Sequence, residues 1–191
     1  MSPDSSARLL EILATAPAVS LDLDVVRCVS KLAFDSGTPP SYLYCSENRN
    51  RLNPAGVASL YFADTHATVQ AEFEAQWHGT GRALEPVLFF HAHVRLAAVL
   101  DLLDGATREL FGVTDDDLFG AWLVQPAPTR LERLAHAIAR QSRVSAVRYA
   151  SAACRRAGRD GWNLAVYRST LRSPDRLEIL GRDRSVLEAI P

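Results

Sequence analysis

Cysteine is scarce in this sequence, and its few copies are poorly placed for a structural role. The three cysteines, Cys28, Cys45 and Cys154, form no CxxC pair. Because their number is odd, at least one of them would be left out of any disulfide. A disulfide framework uses an even set of cysteines, and a zinc knuckle uses closely spaced pairs. We therefore expect neither, and the composition fits a reducing compartment best.

Long apolar runs and an excess of one charge are also missing. No stretch approaches the roughly 20 apolar residues of a membrane-spanning helix. The start, Met1-Ser2-Pro3-Asp4, has neither the basic nor the apolar segment of a secretory signal. The formal net charge is −1, which gives no broad positive field for a nucleic-acid backbone. These absences predict a soluble, cytoplasmic protein that binds neither membranes nor nucleic acid directly.

The common nucleotide-binding motifs are absent as well. The sequence contains no GxGxxG motif and no Walker lysine motif, so neither a dinucleotide-binding doubly wound sheet nor a P-loop is indicated. With 191 residues, 48% of them apolar and 23% charged, the chain is long enough to bury a core of its own. We expect one domain over residues 1–191.

Strand and helix patterns alternate irregularly along the chain. A first helix over about 6–16 precedes a valine-rich strand at 23–30, and a further helix begins after Asp64-Thr65. Thr129 and Glu132 form a capping box that starts an amphipathic helix. Strands dispersed among helices in this way predict an α+β fold. Further strands are predicted at 58–63, 87–94, 97–102, 144–149, 162–168 and 177–180, with short helices at 106–111 and 118–123.

Several short motifs occur in a distinctive order. Arg51-Leu52-Asn53-Pro54-Ala55-Gly56 is followed by Leu60-Tyr61-Phe62-Ala63 and then by Ala71-Glu72-Phe73. Before them stands Val26-Arg27-Cys28-Val29-Ser30, and after them come 99–102 (VLDL), 148–151 (RYAS) and 163–167 (NLAVY). Together these motifs resemble the RES-domain family, which is named for an arginine, a glutamate and a serine. The resemblance covers about residues 24 to 181, with the short N-terminal helix before it.

The resemblance implies a fold, a substrate and partners. The fold would be similar to that of ADP-ribosyltransferases, with a central split sheet surrounded by helices. NAD would be the substrate, an Xre-like antitoxin the protein partner, and a homodimer a compatible assembly. No cofactor or metal is expected, with inorganic phosphate as a candidate co-substrate. Family members often carry glycine before the signature arginine and proline before the serine, where this chain has Asn50 and Ala150.

The family motifs also select the residues expected to bind NAD. Guanidinium groups match phosphate oxygens, so Arg27 and Arg51 are expected to bind the pyrophosphate. Tyr61 is expected to offer its ring to the cationic nicotinamide, although strand tyrosines are more often ordinary core residues. Ser151 is expected to donate a hydrogen bond to nicotinamide or phosphate, and the alternative is a turn serine.

The catalytic candidates are Glu72, Arg51 and Ser151. Cleavage of the bond between nicotinamide and ribose leaves a ribosyl centre resembling an oxocarbenium ion, which a carboxylate such as Glu72 can stabilise. Its neighbour Glu74 is the main alternative, and a solvated helical glutamate is the commoner role of this residue type. We expect Arg27, Arg51, Tyr61, Glu72 and Ser151 to converge on one cleft.

The predicted function is consumption of NAD with release of nicotinamide, as a toxin-like enzyme. ADP-ribose would pass to water or to phosphate, and the sequence does not choose between these acceptors. Two alternatives stay open, an ADP-ribosyltransferase that modifies a macromolecule and a degenerate module that only binds a partner. Among the weaker signals, His91 and His93 lack a third metal ligand at suitable spacing, and Asn163 is interpreted as an anchor for its strand.

Overall fold

Helices and strands follow one another in the irregular order that the sequence predicts. The computed structural model describes residues 3–36, 41–45, 47–77, 86–126, 128–141 and 143–191. Within these residues no helix has the length and apolar character to cross a bilayer. The strands are β1 (Val19–Ser30), β2 (Ser59–Ala63), β3 (Val87–Asp101), β4 (Ala146–Ala150), β5 (Trp162–Tyr167), β6 (Arg176–Leu180) and β7 (Val186–Ile190). The helices are α1 (Pro3–Thr15), α2 (Lys31–Asp35), α3 (His66–Trp77), α4 (Gly105–Leu110), α5 (Asp115–Phe119), α6 (Arg130–Arg140) and α7 (Ala152–Arg156).

The strands fall into two groups that pair with each other over only a few residues. One group is β2, β5 and β4, and the other is β1, β3, β6 and β7, with antiparallel neighbours inside each group. The groups meet where Val26 of β1 pairs with Ala63 of β2, and where residues 99–101 of β3 run parallel to residues 146–148 of β4. This arrangement is the split sheet of an α+β fold, as predicted.

Two cores fill the space on either side of the group that contains β2, β5 and β4. The core between the two strand groups contains Leu60, Phe62 and Leu164 from one group and Val94 and Ile179 from the other. The opposite face of β4 and β5 packs against helices. That helical core contains Leu13, Phe111, Leu118, Leu131, Leu134, Ile138, Val147, Tyr149, Ala165 and Tyr167.

Side-chain caps fix the ends of the helices around the helical core. Thr129 and Glu132 form the predicted capping box of α6, and Thr114 and Asp117 form another at α5. Gly112 follows α4 with a positive φ of 59°, a conformation that glycine adopts without strain. Local sequence chemistry therefore determines where these helices begin and end.

The structure differs from the sequence prediction in a few elements. The two strands predicted at 87–94 and 97–102 are one strand, β3, because Arg95 lies on the exposed face while Val94 and Leu96 continue the buried alternation. The predicted helix at 118–123 is the shorter α5 followed by a 3-10 turn at Trp122–Val124. The short elements α2 and α7 and the largely exposed strand β7 lack a clear apolar period, so they were not predicted.

A histidine sits between two carboxylates on the exposed face of β1 and β3. Nδ1 of His93 lies 2.8 Å from Asp24 Oδ1, and Nε2 lies 2.8 Å from Asp22 Oδ1. Only a protonated ring can donate from both nitrogens. The hydrogen bond to Asp24 raises the pKa of His93, and the bond to Asp22 adds to this effect against partial burial. Arg184 and Arg95 donate to the same two carboxylates.

This arrangement predicts a pH-dependent contribution to stability. Because the pKa of His93 is raised in the folded state, its contribution is fully present below about pH 6.5 and is lost as the pH rises through the folded value. His93→Gln should therefore lower the free energy of unfolding more at about pH 5.5 than at about pH 9 in urea titrations. The exposed helical variant His136→Gln is the control, and equal losses at both pH values for His93→Gln would contradict the prediction.

Candidate active site

The carboxylate of Glu72 is held by donors from two other elements. Glu72 lies on α3, and its Oε1 accepts hydrogen bonds from Ser151 Oγ at 2.6 Å and from Asn163 Nδ2 at 2.9 Å. The backbone N–H of Ala153 makes a longer contact to the same oxygen, at 3.4 Å. Among the described residues, no donor reaches the second oxygen, Oε2. The carboxylate is thus fixed through one of its two oxygens.

Ser151 joins this carboxylate to the start of α7. Its side chain is buried and caps the helix, because Ser151 Oγ accepts from the N–H of Cys154 at 3.0 Å while it donates to Glu72. The one O–H of Ser151 is thus directed at Glu72, and a hydrogen bond from Ser151 to nicotinamide or phosphate stays a prediction. A single serine hydroxyl sets both the helix start and the orientation of the glutamate.

Asn163 has a larger role than the sequence suggested. It lies on β5 directly opposite Tyr149 of β4 and beside Ala63 of β2, so its amide stands on the face toward the helical core. The sequence identified it only as a strand anchor, whereas its Nδ2 holds Glu72. Its place in the 163–167 motif was the one feature of the sequence that pointed to a role in the site. Asn163 and Glu72 are far apart in the sequence, so nothing in their spacing predicts that they are in contact.

Arg51 approaches the same region from a folded loop. Its Nη1 donates to the carbonyl of Asp117 at 2.8 Å, and its Nη2 donates to the carbonyl of Gly120 at 3.0 Å. Burial lowers the pKa of Arg51, while Tyr149 and Glu72 favour its charged form.

The loop that carries Arg51 is tied down by its own side chains. Asn50 Oδ1 accepts from the N–H of Arg51 at 2.7 Å, and Asn53 Nδ2 donates to the carbonyl of Asn48 at 2.7 Å. Arg49 Nε lies 2.5 Å from Oε1 of Glu132, which anchors the loop to α6. Asn50 thus orders the loop by accepting a hydrogen bond from the residue that follows it.

Two tyrosines, Tyr61 and Tyr149, lie on the sheet face toward the helical core. Tyr61 packs against the helical core with part of its side chain exposed, and its buried hydroxyl makes no hydrogen bond among the described residues. Its polar neighbours are Ser59 and the main chain of Leu52. Tyr149 is buried, and burial, together with Tyr61 and Glu72, raises its pKa well above the ordinary value. Tyr149 lies in the 148–151 motif, from which sequence reasoning selected only Ser151.

Arg27 is placed differently from the other candidates. Its side chain shares the face of Val25 and lies over the ring of Phe62, at 5.6 Å from the centroid, in the core between the strand groups. Its Nε donates to the carbonyl of Tyr42 at 3.0 Å, its Nη1 to that of Tyr61 at 3.1 Å, and its Nη2 to that of Tyr44. Burial lowers its pKa to about 10. The structure thus joins Glu72 and Ser151 by a hydrogen bond, and it places Arg27 in the core between the strand groups. Convergence of Arg51 and Tyr61 on the same cleft, and contact between Arg27 and NAD, stay predictions.

The remaining polar signals have local partners. Glu74 accepts from Gln70 Nε2 at 2.8 Å, one turn away on α3, and not from Ser151 or Asn163. His91 contacts the ring of His66, and no cluster of three or more His, Cys, Asp or Glu among the described residues is arranged to hold a metal ion. The structure thus favours Glu72 over Glu74 as the carboxylate of the site.

Comparison with known proteins places the chain in a family. The family model for the RES domain matches residues 25–186. The chain belongs to the RES-domain family. A solved structure described as the M. tuberculosis MbcT–MbcA toxin–antitoxin complex contains a chain with 17% sequence identity and a TM-score of 0.65. The match covers 95% of this RES domain chain and 90% of that chain, and it shows that the two share a fold. No curated protein sequence matches.

Gly161, which directly precedes β5, lies where α3 and α7 approach each other closely. A Cβ at Gly161 would lie 2.6 Å from Thr68 Oγ1 and 2.8 Å from Cys154 Sγ, between α3 and α7. Gly161→Ala should therefore destabilise the protein by about 1–3 kcal/mol, as overpacking does, measured by thermal unfolding.

Gly105→Ala is the matched control for this test. It begins α4, where an added Cβ meets no atom within 4 Å, so it should be neutral or slightly stabilising. Equal stability of the two variants would show that α3 and α7 are not packed as closely as the structure indicates.

Proposed function

We propose that this RES domain is an NAD-consuming enzyme that cleaves the bond between nicotinamide and ribose. The observation that carries the proposal is the carboxylate of Glu72, fixed through Oε1 by Ser151 and Asn163 with Oε2 left for a ligand. A carboxylate that is already fixed in position before the reaction needs little reorganisation when positive charge develops beside it. ADP-ribose would pass to water or to inorganic phosphate.

The chemistry of the bond suits this arrangement. When the bond breaks, its electron pair leaves with the nicotinamide nitrogen, which becomes neutral, and positive charge appears on the ribose. Glu72 Oε2 would lie against that ribose and stabilise the charge, as carboxylates do in glycosidases. Ser151 and Asn163 hold the other oxygen, so they act as positioning residues for the carboxylate.

Arg51 and Tyr61 would bind the rest of the substrate. The guanidinium of Arg51 provides a fixed cation near Glu72 that suits a phosphate, and Tyr61 provides a partly exposed ring for nicotinamide. Membership of the RES family and the likeness to a toxin–antitoxin complex support a role as a toxin restrained by a partner protein.

The decisive variant is Glu72→Gln. It keeps the size of the side chain and much of its hydrogen bonding but removes the charge that would stabilise the transition state. We expect nicotinamide release at saturating NAD to fall about a hundredfold, equivalent to about 2.7 kcal/mol, with little change in NAD affinity.

Glu74→Gln is the matched control on the same helix. Its carboxylate is bonded to Gln70, so its loss should leave turnover near normal. Both variants should be shown to fold by thermal unfolding before turnover is compared. Near-normal turnover in Glu72→Gln would move the catalytic role elsewhere.

Arg51→Lys tests the substrate-binding role of the arginine. A lysine ammonium keeps the charge but cannot present two nitrogens to the carbonyls of Asp117 and Gly120 while it also faces a phosphate. We expect NAD binding to weaken about tenfold in calorimetry. Arg182→Lys, in the exposed turn between β6 and β7, is the control. Unchanged affinity in Arg51→Lys would remove Arg51 from the NAD contacts.

A further inference from the structure

A cavity of about 680 Å³ lies between α1, α4 and α6, on the helical side of the molecule. Its volume falls within the range of small-molecule sites, about 300–1,000 Å³. None of the residues that hold Glu72 lines it, and neither does Arg51. The apolar part of its lining includes Leu9, Ile12, Phe111, Val113, Leu134 and Ala137.

Arginines surround this apolar lining. Arg130, Arg133 and Arg140 follow one another along α6, and the spacings of three and seven residues place them on one face of that helix. Arg8 faces them from α1. Like charges three residues apart, as at Arg130 and Arg133, disfavour an isolated helix, so an anion bound beside them would relieve their repulsion.

Neutralisation of these arginines within the protein is incomplete. Arg130 pairs with Asp117 at 3.4 Å, and Arg133 Nη1 donates to the carbonyl of Pro128 at 2.7 Å. Within the described residues, Arg8 and Arg140 form no ion pair. Of the carboxylates that line the cavity, Glu132 is already bound to Arg49, which leaves Glu109. The cavity therefore combines an apolar interior with excess positive charge at its rim.

We propose that this cavity binds an amphiphilic anion, an alkyl chain that ends in a phosphate or carboxylate group. The chain would lie against Leu9, Ile12 and Leu134, where burial of apolar surface is favourable. The head group would lie between the α6 arginines, whose guanidinium groups bind such oxygens in pairs. The site is separate from the Glu72 site, so the proposal does not depend on the NAD reaction.

The dimensions favour an alkyl chain over a helix of another protein. A helix with its side chains is about 10 Å across. The C-terminal end of α1 is fixed in place, because Arg143 Nη1 donates to the carbonyls of Leu13 at 2.9 Å and Ala16 at 2.7 Å. Beside this fixed end of α1, a single alkyl chain requires less room than a helix.

Decyl phosphate below its micelle concentration is the probe for this site. Calorimetry should show saturable binding of one decyl phosphate per chain, and decanol should bind at least tenfold more weakly because it lacks the charge. A second arm measures co-flotation with phosphatidylcholine vesicles, with and without phosphatidic acid. Binding of free decyl phosphate supports a soluble amphiphile, while binding confined to phosphatidic acid vesicles supports a bilayer lipid.

Two kinds of variant locate the binding. Arg133→Gln combined with Arg140→Gln should weaken binding at least tenfold, and Ala137→Phe should block the apolar interior. Arg182→Gln and Ala139→Phe, which lie outside the cavity, are the matched controls, and circular dichroism checks folding. The arginine variant keeps the test valid if Ala137→Phe fails to fold.

Three results would overturn the proposal. One is the absence of saturable binding in both arms, and another is binding that the folded variants leave unchanged. The third is an acidic amphipathic peptide that binds where decyl phosphate does not, which would assign the cavity to a protein partner.

Discussion

The hydrogen bonds to Oε1 of Glu72 are the constraint on which the candidate site depends. They join α3 to the start of α7 through Ser151 and to β5 through Asn163. Because Ser151 also caps α7, any shift of that helix would move the carboxylate. Gly161 permits this convergence, since a larger residue there would push α3 and α7 apart. The chemistry attributed to Glu72 is thus inseparable from the packing of three elements.

Arg51, the other charged residue of the candidate site, is held by different elements. Arg51 is fixed to the carbonyls that end α5, where the helix dipole favours a cation. Arg155 of α7 joins the two halves, because it pairs with Asp115 at 3.0 Å and lies 4.1 Å from the centre of the Phe119 ring. The glutamate and the arginine are therefore held by elements that contact each other.

Much of the fold was predictable from local patterns, and the contacts that define the site were not. The capping box of Thr129 and Glu132 and the apolar alternation of the central strands identified most elements. The family motifs identified Glu72, Arg51 and Ser151 by order alone. The partners of these residues, such as Asn163 for Glu72 and the α5 carbonyls for Arg51, come from distant segments that no local period relates. The commitment of Arg27 to main-chain carbonyls was hidden for the same reason.

Direct product analysis tests the central claim, that this chain breaks the bond between nicotinamide and ribose. Purified protein is incubated with NAD, with and without inorganic phosphate, and the products are separated and quantified by chromatography and mass spectrometry. We expect nicotinamide to appear in step with the loss of NAD, together with ADP-ribose or its phosphorylated form. Intact NAD in both conditions, with protein that is folded and binds NAD, would contradict the claim.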